Sequence, residues 1–288
     1  MRLYYPAKIL LFGEHLLLTG ATALTLPLPA FAGYWHKEDD SRPVNHDDQQ
    51  QRLEAFAGYL EEKRIIDNTF HANLKEGLVF RSNIPQGYGL GSSGALCAGV
   101  YDRYVREKTQ DPAALKAVFA LMESFFHGNS SGIDPLTSYL ERPLIVVHKT
   151  EVQLPVLLPW HNKPLLFLMD TRLPRQTGPL VAWFLEQWGR PDFRSAAEAH
   201  LLPAHETAIA AWMQADEAQF WPALRQISAF QLRYFLPMVP DSIRPVWEQG
   251  LAEDTFYLKI CGAGGGGYML GFAPHTLPDL SWPLIPLA

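Results

Sequence analysis

The stretch PQGYGLGSSGA, Pro85 to Ala95, limits what this chain can fold into more than any other part of it. Glycines at 87, 89 and 91 remove side chains at alternate positions and permit positive φ, so successive backbone N–H groups can face one concavity. Ser92 and Ser93 then open a run with apolar residues at Leu96, Val100 and Tyr104, the spacing of one helix face. A glycine loop feeding directly into a helix sets the partial positive charge of the helix start beside the loop. Such a place binds phosphate, and a serine hydroxyl there can also reach a phosphate-bound magnesium ion. The loop has neither the GKS or GKT ending of a Walker A motif nor the GxGxxG spacing of a dinucleotide fold. A tight strand-to-helix turn with a serine cap is the plain alternative, and the loop alone does not choose between the two.

Two further segments bear on that choice. CGAGGGGYM, Cys261 to Met269, has five glycines between two strand-like runs, where a simple hairpin needs one or two. The excess suits a place where backbone approaches a ligand closely, although a flexible hairpin or bulge would also fit. PAKILLFGEHLLLTG, Pro6 to Gly20, puts Lys8, Glu14 and His15 in apolar surroundings. Charged residues in a strand that otherwise reads as buried usually have a specific partner. The competing reading is a lysine that snorkels to the surface and an exposed turn at Gly13-Glu14-His15.

Composition narrows the class. The 288 residues are 48% hydrophobic, enough for one large domain or two joined lobes. A net charge of -6 gives no support to a nucleic-acid partner, whereas local backbone dipoles can bind a small anion such as ATP at any overall charge. Cys97 and Cys261 lack metal-ligand spacing and are expected to pack as small apolar residues. No run reaches the length of a membrane span or a signal-peptide core, so the expectation is a cytoplasmic protein with no membrane partner.

Along the chain, Leu3 to Leu28 reads as two strands joined by a turn, and the polar stretch Lys37 to Arg52 as an exposed loop or lid. A helix follows near Arg52 to Arg64, then a strand from Thr69 to Arg81. Asp111 as N-cap and Pro112 in the first turn signal a second helix after that of Ser92 to Glu107. Pro143 to Leu158 returns to strands. Beyond it come a strand at Leu165 to Met169, helices near 180–188, 206–214, 221–235 and 241–249, and strands at Phe256 to Ile260 and Met269 to Phe272 flanking the second glycine run. This irregular alternation favours an α+β class. The boundary is expected near residue 160, giving domains 1–160 and 161–288.

The three runs, in this order, resemble the signature motifs of the GHMP kinase superfamily (galacto-, homoserine, mevalonate and phosphomevalonate kinases), and in detail look most like mevalonate kinase. PAK…FGEH, ESFFHGNSSGIDPLTS (Glu123 to Ser138) and DTRLPRQTGPLV (Asp170 to Val181) are the segments that carry the closer likeness. The resemblance implies a two-lobed GHMP kinase fold, with a ribosomal protein S5 domain 2-like N-terminal lobe and a ferredoxin-like α+β C-terminal lobe. It implies that Asp134 and Lys8 are catalytic, that Ser82, Gly87, Gly89, Leu90, Gly91, Ser92 and Ser93 contact ATP, and that Ser93 and Glu123 hold Mg²⁺. It places Glu14 and His15 at the substrate, and Gly262, Gly264, Gly265 and Gly266 in a loop that closes over the active site. Ala7, Gly94 and Ser130 depart from the family's usual Gly, Ala and Pro.

These parts make chemical sense together. Phosphoryl transfer needs an acceptor oxygen in line with the γ-phosphate and positive charge to offset what accumulates there. Asp134 can take the acceptor's proton while Lys8 orients it and stabilises the transferring group. Bland readings stand beside this: Glu123 as an exposed helix end paired with Lys116, Asp134-Pro135 as a turn or helix start, and His127 as a helix cap with no catalytic role. The expected function is phosphorylation of mevalonate to 5-phosphomevalonate in isoprenoid precursor synthesis. Phosphomevalonate, homoserine or a sugar are the alternative acceptors, and a non-catalytic nucleotide-binding protein of the same fold is the alternative class. A homodimer is left open.

Overall fold

The computed structural model describes residues 2–37, 47–174 and 177–287. The first part of the chain runs β1 (Tyr5–Phe12), β2 (Ala23–Lys37), α1 (Asp47–Glu62), α2 (Thr69–Lys75), β3 (Leu78–Ser82), α3 (Ser92–Tyr104), α4 (Pro112–His127) and α5 (Ile133–Leu140). It continues with β4 (Leu144–Val147), β5 (Glu151–Gln153), β6 (Leu165–Asp170), α6 (Thr177–Gly189), α7 (Pro191–Ala196), α8 (Leu202–Gln214), α9 (Glu217–Tyr234), α10 (Arg244–Glu253), β7 (Tyr257–Ile260), β8 (Tyr268–Ala273) and β9 (Leu284–Leu287). Contacts divide it into two units. One comprises the residues up to Lys8, Leu26–Pro85 and Gly91–Arg142; the other comprises Ile9–Thr25, Gln86–Leu90 and the chain from Pro143 onward.

In the first unit, residues 33–37 of β2 pair antiparallel with β3, and α3 lies on this sheet. Gly99 makes the close packing possible. A Cβ there would meet Phe80, Trp35 and Tyr5 at 3.0–3.1 Å, and the Trp35 indole N–H donates to the Gly99 carbonyl across 3.1 Å. Helices α4 and α5 pack on α3 and on each other. Asp111 caps α4 as its sequence signals, its carboxylate accepting from the Ala114 N–H at 2.9 Å.

In the second unit an antiparallel sheet runs β7-β8-β6-β9. Its core is aromatic: Phe12, Phe220, Phe272 and Trp212 meet around one face, while Phe184, Phe193 and Phe235 cluster beside α6 and α7. Residues 23–25 of β2 pair with β4, which pairs in turn with β5. No helix among the described residues is long and apolar enough to cross a membrane.

Several expectations need correction. The strand expected from Thr69 to Arg81 is a helix, α2, followed by the short β3. Phe70 and Leu74, four residues apart and both buried, form one helix face, and the Asp67 carboxylate receives the Thr69 N–H at 2.9 Å where α2 begins. The polar loop expected over Lys37 to Arg52 falls partly on 38–46, Asp39 and Asp40 included, which lie outside the described residues; from Asp47 the chain is already α1. Two of its glutamines are tethers: Gln49 and Gln50 donate to the Phe80 and Leu74 carbonyls. The strand pattern of 143–158 is β4 and β5 only, ending at Gln153. Of the two readings of Asp134-Pro135 the helix start holds, in α5, and the run PDLSWPLIPLA supplies β9, an edge strand on β6 that tolerates Pro286.

Candidate active site

The glycine loop adopts the conformation that its spacing implies. Gly87, Gly89 and Gly91 have φ of 79°, 83° and 74°, the left-handed region open mainly to glycine. Gly91 is the N-cap of α3 and supplies no side chain to its first turn, in contrast to the Asp111 cap of α4. The first N–H groups of α3, at Ser92 and Ser93, therefore receive no side-chain acceptor from their cap residue. Leu90 is fully buried, so only its backbone is available to a ligand.

Against this helix start the first unit assembles its charged side chains. Lys8, at 6% exposure, is buried rather than snorkelling, and its Nζ lies 2.9 Å from Asp134 Oδ1. Gly91 lies close to both: a Cβ there would come 3.0 Å from Lys8 Cγ and 3.5 Å from Asp134 Oδ2, at a left-handed φ that strains any other residue. Asp134, in the first turn of α5, keeps about a third of its side chain exposed and so remains open to a substrate.

Glu123 is also buried, at 4% exposure, and is not an exposed helix end paired with Lys116. Ser93 Oγ donates to its Oε1 at 3.0 Å, and Ser130 Oγ donates to its Oε2. Burial pushes the Glu123 carboxyl up, the Asp134 charge pushes it further the same way, and the two serine hydroxyls and Lys8 pull it back. A buried carboxylate beside a second one is the setting in which a divalent cation is most favourable. Hydroxyl and carboxylate oxygens are hard donors that suit Mg²⁺, which usually takes one or two carboxylates and completes its shell with phosphates and water. Among the described residues no three His, Cys, Asp or Glu side chains gather into a cage. Ser93 and Glu123 fit a nucleotide-borne magnesium ion.

His127 carries more than its sequence position implies. The cap of α4 is Gly128, and the His127 Nε2 lies 3.0 Å from Ser93 Oγ. With Ser93 donating to Glu123, the imidazole is the donor to Ser93. Ser82, by contrast, is exposed at the end of β3 and accepts from the Ile84 N–H, at 3.0 Å, within its own turn.

In the second unit, Glu14 and His15 are buried and engaged by protein. Glu14 accepts from Lys259 Nζ, which also donates to the Ile260 carbonyl at 3.0 Å. His15 Nε2 donates to the Ala263 carbonyl at 3.0 Å. Lys259 was legible by the argument that singled out Lys8, a charge within an apolar strand, here YLKI. The glycines of the β7–β8 connection all have positive φ, and their close neighbours belong to this same unit. A Cβ at Gly264, Gly265 or Gly266 would meet Met238, Leu180 or the Leu173 and Pro174 carbonyls within 3 Å, whereas Gly262 has φ 65°. In the DTRLPRQTGPLV segment, Arg172 has φ 56° and follows β6, while Arg175 lies outside the described residues.

Residues 53–142 match the family described as GHMP kinases N terminal domain. No curated protein sequence matches the chain. L. major mevalonate kinase, solved with R-mevalonate, is similar in structure with a TM-score of 0.66 at 15% identity, over 94% of this chain and 86% of that one. Lactococcus lactis galactokinase, solved with galactose, gives 0.68 at 15% identity, over 94% and 85%. Streptococcus pneumoniae phosphomevalonate kinase, with phosphomevalonate and AMPPNP, gives 0.63 at 15% identity, over 95% and 92%. Fold and family domain together define the class, a small-molecule kinase. Residues 53–142 thus match a GHMP kinase N-terminal domain, and the α+β fold of the chain is shared with solved kinases of that kind.

Proposed function

We propose that this chain transfers the γ-phosphoryl group of ATP to the primary hydroxyl of mevalonate, forming 5-phosphomevalonate for isoprenoid precursor synthesis. The observation that carries the reading is the Lys8–Asp134 pair, 2.9 Å apart and pressed against the Gly91 helix start. Asp134 accepts the proton of the acceptor hydroxyl, and Lys8 orients it and offsets charge on the transferring group. The Gly87 to Ser93 backbone cradles the phosphates, with Ser82 nearby in sequence as a further contact. Mg²⁺, held by Ser93 and Glu123, supplies charge neutralisation of the phosphates when bound. Glu14 and His15 act in the second unit, where their anchoring of the 262–267 loop through Lys259 and Ala263 supports a role in shaping the acceptor side.

Mevalonate is favoured by Lys8 and by the segments Glu123 to Ser138 and Asp170 to Val181; a fold shared with kinases solved with mevalonate, galactose and phosphomevalonate does not rank the acceptors. ATP consumption measured with mevalonate, phosphomevalonate, homoserine and galactose tests this. Mevalonate is expected to stimulate most. Stimulation by another alcohol moves the acceptor and leaves the mechanism, while ATP binding that no alcohol converts into turnover replaces the enzyme with a nucleotide-binding protein.

A further inference from the structure

We infer that Ser130 is a positioning residue for the metal site: it fixes the Glu123 carboxylate so that one oxygen stays directed at Ser93. This rests on the reading of Ser93 and Glu123 as magnesium ligands, and it assigns a task to a residue outside that set. Three observations lead to it. The first is that Ser130 Oγ has both its roles defined. It accepts the Gly132 N–H at 3.1 Å, so its own proton is directed to Glu123 Oε2. The second is that the other carboxylate oxygen, Oε1, faces Ser93 Oγ at 3.0 Å. The two oxygens thus have one hydroxyl each, from opposite sequence neighbours of the site.

The third is the rigidity of the loop that presents Ser130. Gly128 and Gly132 both have φ of 73°, one at each end of the segment 128–132 that leaves α4. At Gly132 it lies so close to that helix that a Cβ would sit 2.2 Å from the Lys116 carbonyl oxygen and 2.6 Å from the Ala120 nitrogen. Ser131 then accepts the Ile133 N–H and leads into α5 and Asp134. Ser130 is therefore held over Glu123 by backbone packing rather than by its own rotamer alone.

The consequence follows from what a ligand does to Ser93. A cation that takes the lone pairs of Ser93 displaces the His127 donor and draws the hydroxyl toward itself, so the reach of Ser93 to Glu123 changes when the metal binds. Ser130 lies on the far oxygen and is unaffected, so it remains to stop the carboxylate from rotating. Partners that orient a ligating carboxylate typically govern metal affinity by about 10–100-fold.

The test measures binding of Mn²⁺, a paramagnetic stand-in for Mg²⁺, to the full chain with AMPPNP, by electron paramagnetic resonance. AMPPNP affinity without metal and the thermal unfolding midpoint are recorded alongside. Ser130→Ala is expected to weaken Mn²⁺ binding about tenfold or more, with metal-free AMPPNP affinity unchanged. Ser130→Thr and Ser130→Val form a second, nearly isosteric pair that covers the case in which the alanine variant fails to fold. Thr should stay near the parent and Val should fall with Ala. Parent-like Mn²⁺ affinity in the Ala or Val variant, while Glu123→Gln loses it, overturns the role of Ser130 alone. Equal losses in Thr and Val do the same, because the hydroxyl is then not the cause. Parent-like affinity in Glu123→Gln overturns the metal reading itself, and Ser130 with it.

Discussion

Lys8, Glu123 and the Glu14–Lys259 pair are charged groups that the chain takes almost wholly out of water, and each has a different compensation. Lys8 has a half-open carboxylate, Glu123 has two hydroxyls, and Glu14 and Lys259 have each other. Asp134 is the one carboxylate of these that solvent and substrate can reach. Asp134→Ala should therefore lower kcat by a factor on the order of 10²–10⁴ while ATP affinity stays near that of the parent. Steady-state kinetics and equilibrium nucleotide binding read the two separately, and unchanged turnover would remove Asp134 from the mechanism. The Glu14–Lys259 pair has a structural prediction of its own, since both side chains are 1% exposed. Lys259→Met removes the Lys259 ammonium from the buried Glu14 and should cost about 3–5 kcal/mol in urea unfolding; adding Glu14→Gln should recover part of that loss. If Lys259→Met unfolds like the parent, the pair is not the anchor described. At this scale the sequence was largely legible, because a charge in an apolar run demands a partner. What it could not give was the partner's identity when that partner lay distant in sequence, as with Lys259 for Glu14, or when a small hydroxyl did the work, as with Ser130.

Elements were legible where local chemistry signals their ends. The Asp111-Pro112 start of α4 and the glycine entry of α3 were read from sequence, whereas α2, seven residues long, was mistaken for strand because its apolar pair Phe70 and Leu74 runs straight into β3. For helix α5 the Asp134-Pro135 pair offered a turn or a helix start, and local sequence did not choose between them. It begins at a left-handed glycine, Gly132, whose conformation is set by contact with α4 rather than by its own neighbours in sequence. The crossing of α3 and α5 fixes Asp134, and Gly94 is the residue on which it turns. A Cβ at 94 would lie 2.9 Å from the Asp134 carbonyl carbon and from the Pro135 nitrogen, both backbone atoms that cannot swing aside. Glycine at 94 thus permits the close approach of the two helices seen here. Gly94→Ala should force α5 outward, cost about 1–3 kcal/mol of stability and reduce kcat, with metal-free nucleotide affinity changed less than kcat. A Gly94→Ala variant with parental kcat would mean that the helix start yields without moving Asp134.

For the molecule as a whole, the pH response of stability is set by buried groups with opposite signs. His205, on α8, donates from Nε2 to the Thr22 carbonyl at 2.7 Å, and burial lowers its pKa from the usual 6.5, with Lys259 acting the same way and Glu206 and the Thr22 bond opposing. A histidine kept neutral in the folded state costs nothing at pH 7.5. Below about pH 6.5 the unfolded chain takes up a proton that the folded chain refuses, so stability falls as pH falls. Glu123 works in the other direction: its raised pKa lets the folded chain hold a proton that the unfolded chain has released, which favours the folded state as pH falls toward the ordinary carboxylate value. The parent's own pH profile mixes the two. A His205→Gln variant separates them, since glutamine is not titratable and carries a donor of its own. The difference in unfolding midpoint, variant minus parent, should therefore rise steadily as pH is lowered from 7.5 to 5.5 in calorimetry. A difference that stays flat across that window would mean that His205 takes up its proton in the folded state as readily as in the unfolded one.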